Sequence, residues 1–443
     1  MKGYESNVRI GRLFSEIHSE QIKAEARKAG NSGSWTRQRN MPLHDILTCT
    51  LAKKGLSTTM EIRQYFQAAE NVEQTVSKQD YLKQRQNLNP HVFEILNRNY
   101  LKQFYDGQEP VDWRGYLVLA VDGSRVEIPN SQENRETYGE STNQHGKAVA
   151  RANFSALYDV YNRFMLDIQI GYYNSSEIEE AKSHIKAVKQ ISGERPLLIL
   201  FDRNYASLEF MDYLERAGIK YLIRVQSNAY KAELGQMEGA DKEMELAYTK
   251  DRMKSLRQSE PERYYELKEK KSTNVRILKA VFGNEESGIL MTNLREGTAG
   301  EIKRLYRNRW KIEQKYHTLK NKMKFESITG KASIYVAQDF WAQALVFNIV
   351  QDLITGAEYR ATKKAKKQGL KYKVRINENI AIGLFKEQFI RLIMEEDDQR
   401  KAAMFRQLMA DIEKYIVPIR KQKSSPRKGR NTNKYKCNQK PSF

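Results

Sequence analysis

The sequence predicts an α/β protein, a mixed sheet with helices on its faces and helical segments on either side of it. Three observations carry this. An unbroken five-residue apolar run appears twice, in Leu117-Val118-Leu119-Ala120-Val121 and in Leu197-Leu198-Ile199-Leu200-Phe201, as in strands covered on both faces. Around these runs the order is strand, two strands, helix, strand, helix, strand. Before and after them, apolar residues recur at helical spacing.

Composition bounds the rest. A chain of 443 residues is longer than one hydrophobic core serves, so two or three domains are expected. A net charge of +21 and a pI near 9.6 point to a polyanionic partner, nucleic acid first. Cys49 and Cys437 form neither a disulfide framework nor a zinc motif, which fits a reducing cytoplasm. No apolar signal segment opens the chain. The most apolar late stretch, residues 340–354, is interrupted by Gln343, Asn348, Gln351 and Asp352, as in a buried helix and unlike a membrane span. No internal repeat is visible.

The first 33 residues are polar and charged, with a helix expected around residues 16–28. From Pro42 the spacing is helical, with Leu43, Ile46, Leu47 and Leu51 on one face. Thr58-Thr59-Met60-Glu61 reads as a capping box, Ser77 opens a helix through Tyr81, Leu82 and Arg85, and Asn89-Pro90 starts the next. Short helices with tight turns suit a helix-turn-helix and equally any small bundle. Asp106-Gly107-Gln108-Glu109-Pro110 reads as a linker.

The first apolar run ends in Asp122-Gly123-Ser124. Residues 150–161 and 163–172 are β-rich and meet at Tyr161-Asn162-Arg163, a hairpin. Ser176-Glu177-Ile178-Glu179 reads as a capping box for a helix with Ile178, Ala181, Ile185, Val188 and Ile191 on its inner side. The second run ends in Asp202-Arg203-Asn204, residues 207–217 form a helix closed by Gly218, and residues 221–225 a further strand. The roughly seventy residues that follow exceed an ordinary connection. Within them residues 264–270 and 275–282 look like strands, so a mainly β inserted subdomain is expected. Residues 288–294 lead back to the main pattern. Residues 332–354 and 380–416 are helical, and residues 359–375 are basic with Tyr359 and Tyr372 interleaved. From Arg420 onward Lys and Arg are many and Asp and Glu absent, a composition expected to be disordered without its partner.

Residues 301–320 contain neither Pro nor Gly and are expected as one helix. At about 100° per residue, Tyr306, Arg309, Glu313 and Lys320 fall within roughly 60° of one another. Leu305, Ile312, Leu319 and Met323 form an adjoining apolar stripe, and Arg307, Lys311, Lys315 and Lys322 a solvated basic face. Alone, Arg309 and Glu313 could be a surface ion pair contributing a few tenths of a kcal/mol. An Asp after a strand is likewise more often a turn former than a ligand. Yet Asp122 and Asp202 each follow five apolar residues, at the strand edge where open α/β sheets bind ligands. Three carboxylates converging there repel unless a cation lies between them. Oxygen donors of this kind suit Mg²⁺, with Mn²⁺ able to substitute. Two such ions about 4 Å apart activate a water or 3′-hydroxyl for phosphodiester attack. Arg309, Lys320 and Tyr306 are then expected to hold phosphates.

Tyr306, two residues, Arg309, three residues, Glu313, six residues and Lys320 reproduce the signature of a known family. With Val121-Asp122-Gly123-Ser124, Phe201-Asp202-Arg203-Asn204-Tyr205 and a long insertion before the Glu, the chain resembles the DDE transposases of bacterial insertion sequences, in the insertion sequence four type. The resemblance covers residues 40–355. It implies a ribonuclease H-like core with Asp122, Asp202 and Glu313 as catalytic and metal-binding triad. It also implies a helical N-terminal domain for terminal inverted repeats, target DNA as second partner and a homodimer in the synaptic complex. The expected layout is a DNA-binding domain over 1–105, a catalytic core over 111–227 and 293–355, and an insertion over 228–292. A helical region over 356–418 and a basic tail over 419–443 complete it. Where the family has Gly after Asp-Arg, this chain has Asn204, a residue that tolerates positive φ. Trp310 is expected either to stack on an unpaired base near the cut or to be a core indole. Six histidines show no ligand spacing, and His317 is the one expected near the site. A ribonuclease H-fold nuclease without strand transfer, and a DNA-binding protein that has lost catalysis, are the alternatives.

Overall fold

The two apolar runs become neighbouring parallel strands. In the computed structural model, which describes residues 5–30, 33–36, 40–70, 76–107, 109–142, 146–226, 230–282 and 286–420, the chain divides into two compact units. One comprises Met1–Gly107, Arg125–Ala152 and His317–Phe443, the other Gln108–Ser124 and Asn153–Tyr316.

The second unit is built on strands β1 (Leu117–Glu127), β3 (Ala148–Asp159), β4 (Met165–Tyr172), β5 (Leu197–Phe201), β6 (Lys220–Val225), β7 (Asp241–Ala247), β8 (Ser272–Phe282) and β9 (Glu286–Thr292). The strand order is β4-β3-β1-β5-β6-β9-β8-β7. In the first unit a short strand, β2 (Glu140–Thr142), pairs antiparallel with the start of β3. β5 pairs parallel with β1 and with β6, and every residue of β5 is buried, which is what continuous apolarity requires of a strand with two covered faces. The hairpin between β3 and β4 turns at Arg163, which adopts φ 69°.

β9, β8 and β7 add antiparallel to β6 in that order. The long segment after Val225 therefore widens the same sheet. Residues 264–270, expected as a strand, instead form most of the helix Pro261–Lys270. Pro in its first turn presets φ, and the Glu, Leu and Lys that follow outweigh the strand preference of Tyr264-Tyr265.

Helix Glu177–Ser192 buries Ala181, Ile185, Val188 and Ile191 as expected, but Ile178, in its first turn, is only half-buried and Ser176 makes no side-chain cap. Glu180 turns inward and accepts hydrogen bonds from Asn153 Nδ2 at 2.8 Å and from Ser175 Oγ at 2.5 Å. Helix Leu208–Arg216 is capped by Ser207, and Gly218 follows at φ 72°.

The first unit is helical. Helix Glu5–Ile17 buries Ile10, Leu13, Phe14 and Ile17. It was missed because one apolar stripe is diluted by charge on every other face. The helix expected over 16–28 is only Glu20–Glu25. Helix Thr58–Ala68 begins one residue earlier than the expected capping box. Glu61 instead accepts the backbone N–H groups of Lys54, Gly55 and Leu56 at 3.0, 2.8 and 2.8 Å.

The 35-residue helix Ser333–Lys367 forms the axis of this unit. Its polar interruptions are paired inside the core. Asp339 bonds Lys53 and Arg85, and Asp352 bonds Arg9 and Tyr100. Residues 380–416 are not one helix but Glu378–Met394 and Asp398–Lys414, with Asp397 capping the second. Among the described residues no helix is long and apolar enough to cross a membrane. The basic tail from 421 onward, Cys437 and the linker's Gln108 lie outside the described residues.

Candidate active site

Asp122 sits two residues beyond Ala120, the last residue of β1 paired with β5. β1 itself continues to Glu127, so the aspartate lies within the strand and not after it. Its side chain is 19% exposed, and its Oδ1 accepts the Gly123 N–H at 3.0 Å. Its main-chain carbonyl accepts the Tyr316 hydroxyl at 2.5 Å and the Ser155 hydroxyl at 3.5 Å.

Asp202 follows β5 directly and caps a 3₁₀ turn, Arg203–Tyr205, by accepting the Arg203 N–H at 2.5 Å. Asn204 lies inside this turn and is not among the residues of positive φ. The departure from Gly thus needs no left-handed backbone here. Its amide instead points to Glu177 Oε2 at 3.5 Å.

Glu313 comes from a helical stretch that is not one helix. Ala299–Tyr306 opens with a capping box of Thr298 and Glu301, Arg307–Arg309 is 3₁₀, and Trp310–His317 is α again. A π turn, Thr318–Lys322, follows in the first unit. The cause of the tightening is Asn308, whose Nδ2 donates to the carbonyls of Leu305 at 3.1 Å and Arg304 at 3.4 Å. A side-chain amide on these acceptors competes with the helical backbone ladder. The apolar stripe is as expected, with Leu305, Ile312, Leu319 and Met323 all buried. The basic face is less solvated than expected. Lys311 is half-buried, donates to the Val160 carbonyl at 3.1 Å and lies over the Tyr161 ring; Lys322 pairs with Glu378.

Arg309 joins the acids. It is 8% exposed, its Nη2 donates to Glu313 Oε1 at 2.5 Å, and its Nη1 lies 3.8 Å from Asp122 Oδ2. Nη1 is buried without a hydrogen-bond partner. The guanidinium also bonds the Tyr306 oxygen. Tyr306 is itself buried and donates to the Phe201 carbonyl at 3.1 Å. From there it orients Arg309 and ties the helix to the end of β5. Burial pushes the Asp122 carboxyl up to about 7; Arg309 opposes this, while the charges of Glu313 and Asp202 add to it.

The structure therefore brings Asp122, Asp202, Glu313, Arg309 and Tyr306 together in one unit. Trp310 is 50% exposed and is no core indole. Lys320 belongs to the first unit, where it donates to the Arg125 carbonyl at 2.5 Å.

Sequence reasoning missed a polar chain beneath Asp122. His184 is fully buried, with Nδ1 at 2.6 Å from Asp167 Oδ2 and Nε2 at 2.8 Å from Ser155 Oγ. The Ser-His-Asp order suggests a nucleophile. With the Ser hydroxyl buried and turned to a backbone carbonyl, the chain can only position β1. A signal for it existed, since His184 is three residues after Ala181 and four before Val188, on the buried side of its helix. His317, the histidine expected near the site, is exposed.

Among the described residues no three His, Cys, Asp or Glu side chains are drawn close enough to hold one ion. The donor chemistry still fits a hard divalent cation, because the three acids supply only carboxylate oxygens. In this conformation the cation between Asp122 and Glu313 is the guanidinium of Arg309.

The family described as transposase DDE domain matches residues 113–349. The chain is 23% identical over 268 residues to the transposase InsG for insertion sequence element IS4 of Escherichia coli (strain K12). That alignment covers 56% of this chain and 54% of the relative, so the chain spans about half the length of the curated protein it matches. Among solved structures it is similar to the piggyBac transposase synaptic complex with hairpin DNA. There the identity is 10% and the TM-score 0.45, over 94% of this chain and 87% of that one.

Proposed function

The chain belongs to the transposase DDE-domain family, and on that premise we propose that it cuts DNA at the ends of an insertion sequence and joins those ends to target DNA. The observation that carries the reading is that one guanidinium, that of Arg309, lies 2.5 Å from Glu313 Oε1 and 3.8 Å from Asp122 Oδ2, with Asp202 directly after β5, the strand that pairs with β1. Asp122, Asp202 and Glu313 would hold Mg²⁺, or Mn²⁺ in its place. The ions supply a Lewis acid for the phosphate and lower the pKa of the attacking oxygen.

The chain's own residues do the positioning. Tyr316 and Ser155 fix the backbone carbonyl of Asp122. Tyr306 fixes Arg309, whose planar fork suits a phosphate as well as a carboxylate. Exposed Trp310 offers a face for an unpaired base.

In the first step water attacks the scissile phosphorus, the P–O3′ bond breaks, and the strand is left with a free 3′-hydroxyl. In the second that hydroxyl attacks a target phosphodiester, and the target's own 3′ oxygen leaves. No covalent enzyme intermediate is involved. The catalytic unit is read as ribonuclease H-like, the N-terminal helices as the readers of terminal inverted repeats, the working form as a homodimer and the compartment as the cytoplasm.

The test uses linear DNA carrying the gene's flanking sequences, with wild type and Glu313→Ala, each with Mg²⁺ or EDTA. End-specific cutting and joining by wild type with Mg²⁺ alone is expected. Equal binding without any cutting would instead indicate a DNA-binding protein, and cutting without end preference or joining a nuclease.

A further inference from the structure

The basic stretch that follows Tyr359 is folded, exposed and without counter-charge. From Thr362 to Ile376 there are seven Lys or Arg and no Asp or Glu, and all seven basic side chains are exposed. Among the described residues none of the seven has a carboxylate partner, whereas Arg360, just before them, pairs with Glu413. Blocks of like charge repel, and most stay unfolded as tails. Here the chain holds one in regular structure. Ala357, Ala361 and Ala365 are buried on the inner side of helix Ser333–Lys367, so Tyr359, Lys363 and Lys366 line the opposite side at about 100° per residue. After the helix, β10 (Val374–Ile376) pairs antiparallel with β11 (Ile416–Pro418). Val374 and Ile376 are buried, and Lys373 and Arg375 alternate with them on the outer face.

The ribbon also gathers a second basic segment. From Ile419 onward the sequence has nine Lys or Arg and no Asp or Glu. The Ile419 N–H donates to the Lys373 carbonyl at 2.7 Å. The Arg420 guanidinium and the Lys371 ammonium lie over the Tyr372 ring, 5.9 and 5.7 Å from its centroid. Two stretches far apart in sequence thus open onto one surface. The helix dipole accounts for Lys364, Lys366 and Lys367, in the last helical turn. It does not account for Lys371, Lys373, Arg375 and Arg420, which lie beyond it. Six of the seven basic residues are lysines, point charges on flexible stems that meet phosphates without demanding one geometry. The Tyr372 ring engages two cations and is not left open for an unpaired base. Phosphate contacts of this kind position a duplex and carry no sequence information.

We propose that this surface, from Lys363 to Arg375 with Arg420 beside it, binds target duplex DNA through its phosphates, whatever the sequence. The proposed function gives the chain two DNA partners. The N-terminal helices are read as taking the terminal repeats, and this surface takes the other duplex. The choice of duplex DNA over another polyanion rests on that reading.

The test is fluorescence anisotropy of the full chain with a labelled duplex of random sequence, in EDTA and at several salt concentrations. Wild type is compared with the triple variant Lys371→Ala/Lys373→Ala/Arg375→Ala and with Lys371→Arg/Lys373→Arg, which keeps the charge. A control, Lys186→Ala/Lys189→Ala/Lys268→Ala, removes equal charge from exposed positions of the other unit. Each phosphate contact steepens the fall of log affinity with log salt by about 0.9, so the ribbon triple variant should flatten it by about 2–3 and bind about tenfold or more weaker. The arginine variant and the control should stay near wild type, and all four proteins should melt alike, because the changed side chains are exposed. Wild-type affinity and slope in the ribbon triple variant would overturn the proposal. So would an equal loss in the control, where net charge alone would be at work, and so would no binding by wild type. Ribbon-dependent binding to anionic lipid vesicles, with duplex affinity unchanged, would overturn it in favour of a membrane surface. Failure of the proposed function is seen separately, as wild type that cuts no ends with Mg²⁺ while the ribbon-dependent salt slope persists.

Discussion

Removing one oxygen from Tyr316 separates the placement of Asp122 from its chemistry. The hydroxyl donates to the Asp122 carbonyl at 2.5 Å, while the ring packs on Phe154 with centroids 4.9 Å apart. Tyr316→Phe keeps the ring and loses the bond. The carbonyl retains Ser155 at 3.5 Å, at the outer limit of a hydrogen bond. A neutral hydrogen bond contributes about 1 kcal/mol net. Spent on aligning the carboxylate, that is about fivefold in rate; spent on stability, about 2–4 °C in melting temperature. Single-turnover cleavage of end DNA and thermal melting separate the two, and a roughly fivefold slower cut with a melting change of a few degrees at most is expected. Ser155→Ala should behave oppositely. It leaves buried His184 Nε2 without its partner, costing about 1–3 kcal/mol of stability, and disturbs Asp122 less. Wild-type cleavage by Tyr316→Phe, or the same ratio of rate loss to stability loss in both variants, would refute the reasoning.

Trp310→Ala should leave stability within about 0.5 kcal/mol, since the indole is exposed, but weaken engagement of an unpaired end by about 1–3 kcal/mol; fluorescence anisotropy with a frayed duplex reads this, and unchanged affinity excludes stacking. Asp339→Asn strips the shared partner from buried Lys53 and Arg85 and should cost about 3–5 kcal/mol, seen as a lowered denaturation midpoint; an unchanged midpoint would mean that the cluster is not coupled to folding. Lys386 is fully buried against the Lys53 carbonyl, Gln343 and the Met323 carbonyl, and burial lowers its pKa from 10.5 to about 7. Between those values the unfolded chain holds the proton and the folded chain does not, so this group makes stability rise with pH across that window, by up to about 5 kcal/mol. Lys386→Met should flatten that rise in denaturation measured from pH 7 to pH 10, and an equal slope in both proteins would show that Lys386 is not its source.

What the sequence made legible followed from strong, local rules. The two five-residue apolar runs could only be covered strands, and the aspartates beyond them had to lie near one sheet edge. Residues 264–270 misled because paired tyrosines favour strands, while the deciding Pro261 lies three residues upstream. The break at Arg307–Arg309 was hidden for a different reason. Nothing in helix propensity forbids a continuous helix there, and the cause is one amide that turns onto the backbone. Glu177 and His184 were both in view, one as a cap and one as an unremarked inward position. Only the fold could show that the first faces Gly123 and Asn204 and the second reaches toward Asp122.

The 3₁₀ segment also sets two kinds of fitness against each other. Each of its residues turns by about 120°, against about 100° in an α-helix, so three of them rotate everything downstream by roughly 60°. The direction in which Glu313 points is therefore set by a helix that is locally imperfect, and Asn308 is what keeps it so. A substitution such as Asn308→Leu would strengthen the helix and, in the same stroke, swing the carboxylate off its bearing. At this position selection for a sturdier protein and selection for a working catalyst favour different residues, and a lineage kept for its activity should resist the more helical choice.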